Sequence, residues 1–215
     1  MMKIGLLLVS LTLPLQAAIV VNLPGASENA TWILNSANYP SASYNSFGTA
    51  ATPWAAPATP TAATASALLN KISGSGYMSG AGFMYTTQAS GGFRVYDDAP
   101  LANLETIVFQ GSISDFFNAG PVLNYNGGSQ ALMADFSMIL AATPYSDRAW
   151  QWDLSAIAEP IANYEIVFSG HFAAASLRLN QGDQFQQIIP EPSSLLLSLA
   201  GLGLSFTRRR HAVHF

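Results

Sequence analysis

Ala149-Trp150-Gln151-Trp152-Asp153-Leu154 and, a little further on, Tyr164-Glu165-Ile166-Val167-Phe168 decide the fold. In each stretch large apolar side chains return at every second position, so Trp150, Trp152 and Leu154 share one face and Tyr164, Ile166 and Phe168 another. That period belongs to a strand with one buried face; a helix would need 3.6. Further short apolar or alternating runs stand at 77–87, 93–96, 105–112, 131–140, 164–172, 176–179 and 185–189. Turn signals punctuate them: Gly74-Ser75-Gly76, Gly91-Gly92, Asp97-Asp98-Ala99-Pro100, Asn118-Ala119-Gly120-Pro121 and Asn126-Gly127-Gly128. Strands at this spacing predict an all-β fold, an antiparallel β-sandwich with a jelly-roll-like plan. Residues 49–66, rich in Ala, Thr and Pro, read as a loop, and a turn or two of helix is expected near 65–72.

The 215 residues suit one domain, and charged residues make up only 9% of them. Ser, Thr, Asn, Gln and Gly supply the polarity instead. Between residues 18 and 190 stand eleven carboxylates against four bases, Lys71, Arg94, Arg148 and Arg178, a net charge of −7. A body this acidic has no basic patch to neutralise phosphates, which argues against nucleic acid as a partner. Cysteine is absent, which excludes disulfides, thiolate metal sites and a Cys nucleophile.

The ends are different from the body. Residues 1–17 carry Lys3, an apolar stretch over 4–13, and then Pro14-Leu15-Gln16-Ala17-Ala18, the three parts of a secretory signal with Ala17 and Ala18 flanking the expected cleavage. The expected partners at this end are Sec-type export machinery and a signal peptidase. At the other end, Pro190-Glu191-Pro192 precedes an apolar run over 193–207 and the cluster Arg208-Arg209-Arg210. The prolines hold their segment extended, as a protease cleft requires. The run, at 1.5 Å per residue, covers only about 22 Å of a hydrocarbon core about 30 Å thick, a marginal helical span suited to transient inner-membrane association. The arginines stop the tail with its end in the cytoplasm and the body outside.

Pro190-Glu191-Pro192, the Ser193-Ser194-Leu195-Leu196-Leu197 start of the span, its Gly-containing middle and the arginine cluster together resemble the PEP-CTERM sorting signal of Gram-negative bacteria, here over 190–211. The resemblance implies processing by an exosortase, a membrane cysteine transpeptidase, with loss of the tail and delivery to the cell surface or extracellular polysaccharide. His211-Ala212-Val213-His214-Phe215 after the arginines departs from the pattern without altering the orientation. The stretches over 151–157, 161–172 and 176–185 also look like closing strands of surface proteins that carry this signal, with 185–189 leading directly into Pro190.

Chemistry is sparser. The body between the two end segments holds one histidine, His171, expected at a strand edge and bonded to backbone, so a His-based metal site is excluded and a Ser-His-Asp triad finds no Gly-x-Ser-x-Gly elbow. Paired carboxylates for glycoside hydrolysis would come from Asp97, Asp98, Glu105, Asp115, Asp135, Asp153 and Glu165, which sequence alone cannot pair. Asp97 and Asp98, with Asp183, are the weak candidates for a structural Ca²⁺, although Asp97-Asp98-Ala99-Pro100 also reads as a plain turn. No other cofactor is implied. Trp54, Trp150 and Trp152, with Trp32, Tyr39, Tyr44, Tyr77 and Tyr125, are candidates for stacking on sugar rings. Alternation also allows Trp150 and Trp152 a place in the core, whereas Trp54, in the polar loop, is expected to be exposed. The expected function is therefore a non-catalytic structural or adhesive surface protein acting with exopolysaccharide. A carbohydrate-binding module is the second reading and a polysaccharide-cleaving enzyme the third.

Overall fold

A computed structural model describes residues 21–42, 54, 56–86, 90–114, 120–139 and 146–190. Ala17, Ala18, Glu191, Pro192, Arg208, Arg209 and Arg210, with the two expected membrane segments, lie outside the described residues. Among those described, no helix is long and apolar enough to cross a membrane.

The body is all-β and sandwich-like, built from two antiparallel sheets. The larger runs β10 (Phe136–Ile139), β11 (Ser146–Asp153), β7 (Thr106–Ser114), β13 (Ala173–Gly182), β1 (Ser27–Ile33) and β2 (Ala62–Ala63). Two short strands, β4 (Tyr77–Met78) and β5 (Met84–Tyr85), extend it through a β5–β13 pairing. The smaller sheet runs β3 (Leu68–Gly74), β6 (Gly91–Asp97), β12 (Tyr164–Gly170), β8 (Val122–Tyr125) and β9 (Leu132–Met133).

Period two explains the core. Phe109, Trp150, Trp152, Leu177 and Trp32 from the larger sheet meet Phe93, Val95, Ile166 and Phe168 from the smaller one in a single buried cluster. Phe168 lies 5.6 Å from Phe109 and 5.7 Å from Phe93, ring centre to ring centre, so aromatic contacts cross from sheet to sheet. Trp150 and Trp152 are therefore core residues, with Trp152 Nε1 donating to Leu132 O at 3.1 Å, and they offer no stacking face to a sugar.

Several expectations are corrected. The segment 65–72 is not helical but feeds β3, paired to β6 from Leu68 to Gly74. The loop over 49–66 is partly structured: Ala62–Ala63 pair with β1, and Ala58 bridges Leu69. Within the run at 77–87, Tyr77–Met78 and Met84–Tyr85 pair as a tight hairpin, and the run at 131–140 supplies β9 and β10, which belong to different sheets. No strand forms over 185–189; β13 ends at Gly182 and the chain continues irregularly to Pro190. Trp54 is buried, not exposed: it packs edge-on to Phe93 at 5.8 Å, and its indole N–H donates to Gly76 O at 3.4 Å. A buried indole needs such an acceptor, and the backbone of the next turn supplies it.

Candidate functional site

The inward set Phe93, Val95 and Asp97 on β6 forces Arg94 and Tyr96 outward, and Tyr164, Ile166 and Phe168 on β12 do the same for Glu165. The register sets Tyr96 opposite Glu165, and Glu165 opposite Asn124 of β8, so the three form one row across the outer face of the smaller sheet. Arg94 sits beside that row. Its Nη1 donates to Glu165 Oε2 at 3.1 Å, and its guanidinium lies 4.5 Å from the Tyr96 ring centre. Asn124 Nδ2 donates to Glu165 Oε1, also at 3.1 Å. Both carboxylate oxygens are thus occupied. With Arg94 and Glu165 side chains 37% and 30% exposed, this pair adds about 0–1 kcal/mol to stability; its main effect is to fix the geometry of the row.

The hairpin joining β8 to β9 builds one wall. Asn126 and Gly127 adopt φ of 50° and 68°, the left-handed pair that an Asn-Gly hairpin turn requires, and Gly128 N donates back to Tyr125 O. Asn126 accepts from Ala162 N and donates to Pro160 O, while Gly127 N donates to Asn163 Oδ1, which fastens the turn to the loop before β12. The result is an open groove of about 420 Å³ lined by Arg94, Tyr96, Asp98, Asn124, Tyr125, Asn163 and Glu165 among others. It is larger than the cavity of about 160 Å³ on the outer face of the other sheet and that of about 190 Å³ beside Glu105 and Glu159. At its edge β3 contributes Asn70, opposite Arg94; Asn70 Oδ1 and Arg94 Nε are both closed off from solvent without a partner among the described residues.

The remaining candidates fall elsewhere. Asp97 and Asp98 diverge, the first fully buried and the second exposed at the groove, so they do not act together on one ion. Asp183 instead accepts the Ala26 amide at 2.8 Å. Among the described residues no three His, Cys, Asp or Glu side chains gather as metal ligands. Asp153 caps its own turn through Ser155, Asp135 accepts the Asp153 amide, and Glu105 accepts the Phe185 amide; Asp115 lies outside the described residues. His171 is exposed and shares a 3.3 Å hydrogen bond with the Tyr85 hydroxyl, not with backbone. A second polar cluster, unforeseen in the sequence, lies inside the sandwich. Gln181 Nε2 donates to both Glu28 Oε2 (2.7 Å) and Asp97 Oδ2 (3.3 Å), and Tyr164 O–H donates to Gln181 Oε1 (3.0 Å). Burial first, then the nearby Asp97 and Glu28 charges, raise the Tyr164 pKa well above its usual value, so the phenol stays a neutral donor.

Fold and groove together define a sandwich-like β-protein that offers an open, polar, tyrosine-flanked sheet face. No family model, curated protein or solved structure matches the chain.

Proposed function

We propose that this chain is an exported, exosortase-processed surface or extracellular-matrix protein with a non-catalytic, adhesive role, and that it holds exopolysaccharide in the groove of the smaller sheet. The observation that carries this reading is the row Tyr96, Glu165 and Asn124 beside Arg94: planar polar groups with fixed spacing suit the vicinal hydroxyls of a sugar, and tyrosine suits its apolar face. Adhesion and carbohydrate binding then become one activity. Glu165, with both oxygens engaged, serves as a binding group and not as a general acid, which speaks against the polysaccharide-cleaving alternative. The lining carries Arg94 against Glu165 and Asp98, and the body is acidic, so a neutral or amino sugar fits better than a uronate. The jelly-roll-like plan is likewise our reading: from β6 onward successive strands or hairpins alternate between the sheets.

Neutral glycans immobilised as a panel should retain the protein isolated from the surface of expressing cells, and Tyr96→Ala or Glu165→Gln should weaken retention at least about tenfold, the loss of one well-made polar or stacking contact. Flat isotherms across the panel would sink the binding reading. For the address, intact-mass measurement of the same material should show a start at residue 18 or 19 and no residue of the apolar run 195–207. A retained tail would contradict exosortase sorting.

A further inference from the structure

After β13 the chain turns back as 183–190 and lies on the outer face of the larger sheet without forming a strand. Ile189 is completely buried there, packed with Val108 and Ala149, whose neighbours Phe109 and Trp150 point the other way into the core. Phe136 and Met138 border the same small cluster, and Phe185 stacks on Phe136 at 6.2 Å. Val21 and Leu23, the first described residues of the body, join it too. Both ends of the body therefore leave from one face.

One buried side chain fastens the exit. Gln151, on the outward positions of β11, donates from Nε2 to Gln186 O at 2.6 Å and to Thr106 Oγ1 at 3.2 Å. Its Oε1 accepts the amides of Ile188 at 2.8 Å and Ile189 at 3.2 Å. Glu105 takes the Phe185 amide at 3.1 Å. Four backbone groups of this segment, at Phe185, Gln186, Ile188 and Ile189, are thus bonded to side chains, where a strand would bond them to a neighbouring strand.

We propose that Gln151 is a positioning residue for tail processing: it makes 183–189 part of the folded body, so the segment an enzyme can grip begins at Pro190 and cleavage falls at or beyond it. This rests on the reading that the tail is processed. A protease holds its substrate extended and pairs with its backbone N–H and C=O groups, and those of 186, 188 and 189 are already taken. From Ile189 to Leu195, the first leucine of the apolar run, only residues 190–194 intervene. Fully extended, they reach about 17 Å. The docked face consequently stays next to the membrane until the tail is cut.

The test is limited digestion of the full chain in detergent micelles with a broad-specificity protease, read by intact mass. Wild type should give a body ending at Pro190 or later. Gln151→Ala should be trimmed to before Gln186 at least about tenfold faster, and Gln151→Glu, which keeps the acceptor and loses the donor, should fall between. Where Gln151→Ala does not fold, hydrogen exchange in wild type decides: the Phe185, Ile188 and Ile189 amides should exchange at least about tenfold more slowly than that of Gln187. Wild-type trimming before Gln186, another order among the variants, or fast exchange at Ile188 and Ile189 overturns the clamp. A clamp that passes while cells retain the full tail would leave Gln151 standing and remove the processing reading.

Discussion

Gln181→Leu is expected to lower the melting temperature by about 10 °C, although leucine nearly matches glutamine in volume. The amide stands between the sheets: Glu28 and Gln181 are register partners in the larger one, Asp97 and Tyr164 in the smaller. Leucine leaves the fully buried Tyr164 hydroxyl with nothing to donate to and takes a donor from each of two carboxylates. Asp97 keeps Ser66 and the Ala99 amide, and Glu28 is partly open to water, so the loss is about 3–5 kcal/mol and not the sum of three orphaned groups. Gln181→Glu separates packing from charge. Glu28 and Asp97 would hold the new carboxyl's folded pKa above its unfolded value of about 4.3. Its penalty is therefore absent below about pH 4.3 and grows as pH rises through the folded pKa. Thermal melts should show Gln181→Glu gaining on Gln181→Leu as pH falls from 7 to 4. A constant difference between the two would mean that the amide is not holding the carboxylates apart.

The same polar interior decided which strands could be read. β11 and β12 show themselves because Trp150, Trp152 and Leu154, and Tyr164, Ile166 and Phe168, put large apolar or aromatic side chains at every second position, and turn residues bracket them. β1, Ser27–Ile33, and β3, Leu68–Gly74, gave no such signal, and for one reason: an inward position of each carries a charged residue, Glu28 in β1 and Lys71 in β3. Period-two reading discards a strand whose buried face holds a carboxylate or an amine. The run 185–189 misled in the opposite direction, apolar enough for a strand but with its amides taken by one glutamine side chain.

Of the groove, Glu165, Tyr125 and Asp98 are visible as candidates in the sequence, whereas Arg94, Tyr96 and Asn124 are not. Alternation alone puts Arg94 and Tyr96 on the solvent face of β6. What it cannot supply is the register that brings Tyr96, Glu165 and Asn124 into one row, because pairing between strands distant in sequence is set by the whole sheet. Trp54 shows the reverse limit. Its polar, proline-rich surroundings suggest exposure, yet Trp54 N donates to Lys71 O at 3.3 Å and Ala58 bridges Leu69, so both residues meet the β3 edge and the indole is buried.

Lys71 itself carries the second large effect. It is completely buried on the inward face of β3, its Nζ has no hydrogen-bond partner among the described residues, and burial lowers its pKa from 10.5. Because the folded pKa lies below the unfolded one, the unfolded chain binds more protons, and stability rises with pH across the window that ends near 10.5. Lys71→Met keeps the length of the side chain and removes the amine, so it should stabilise the protein at pH 7 by about 1–3 kcal/mol, a rise of roughly 5 °C in melting temperature. That advantage should shrink as pH climbs towards the unfolded pKa, where wild-type lysine is neutral in both states. Melts of the two proteins from pH 6 to 10 check both the sign and the slope. A methionine variant that is less stable throughout, or a gap that ignores pH, would mean that the amine is satisfied in solution. Stabilisation at Lys71 and destabilisation at Gln181 would then separate two kinds of buried polar group in one sandwich: a connected network that holds the sheets together, and a lone amine that weakens them.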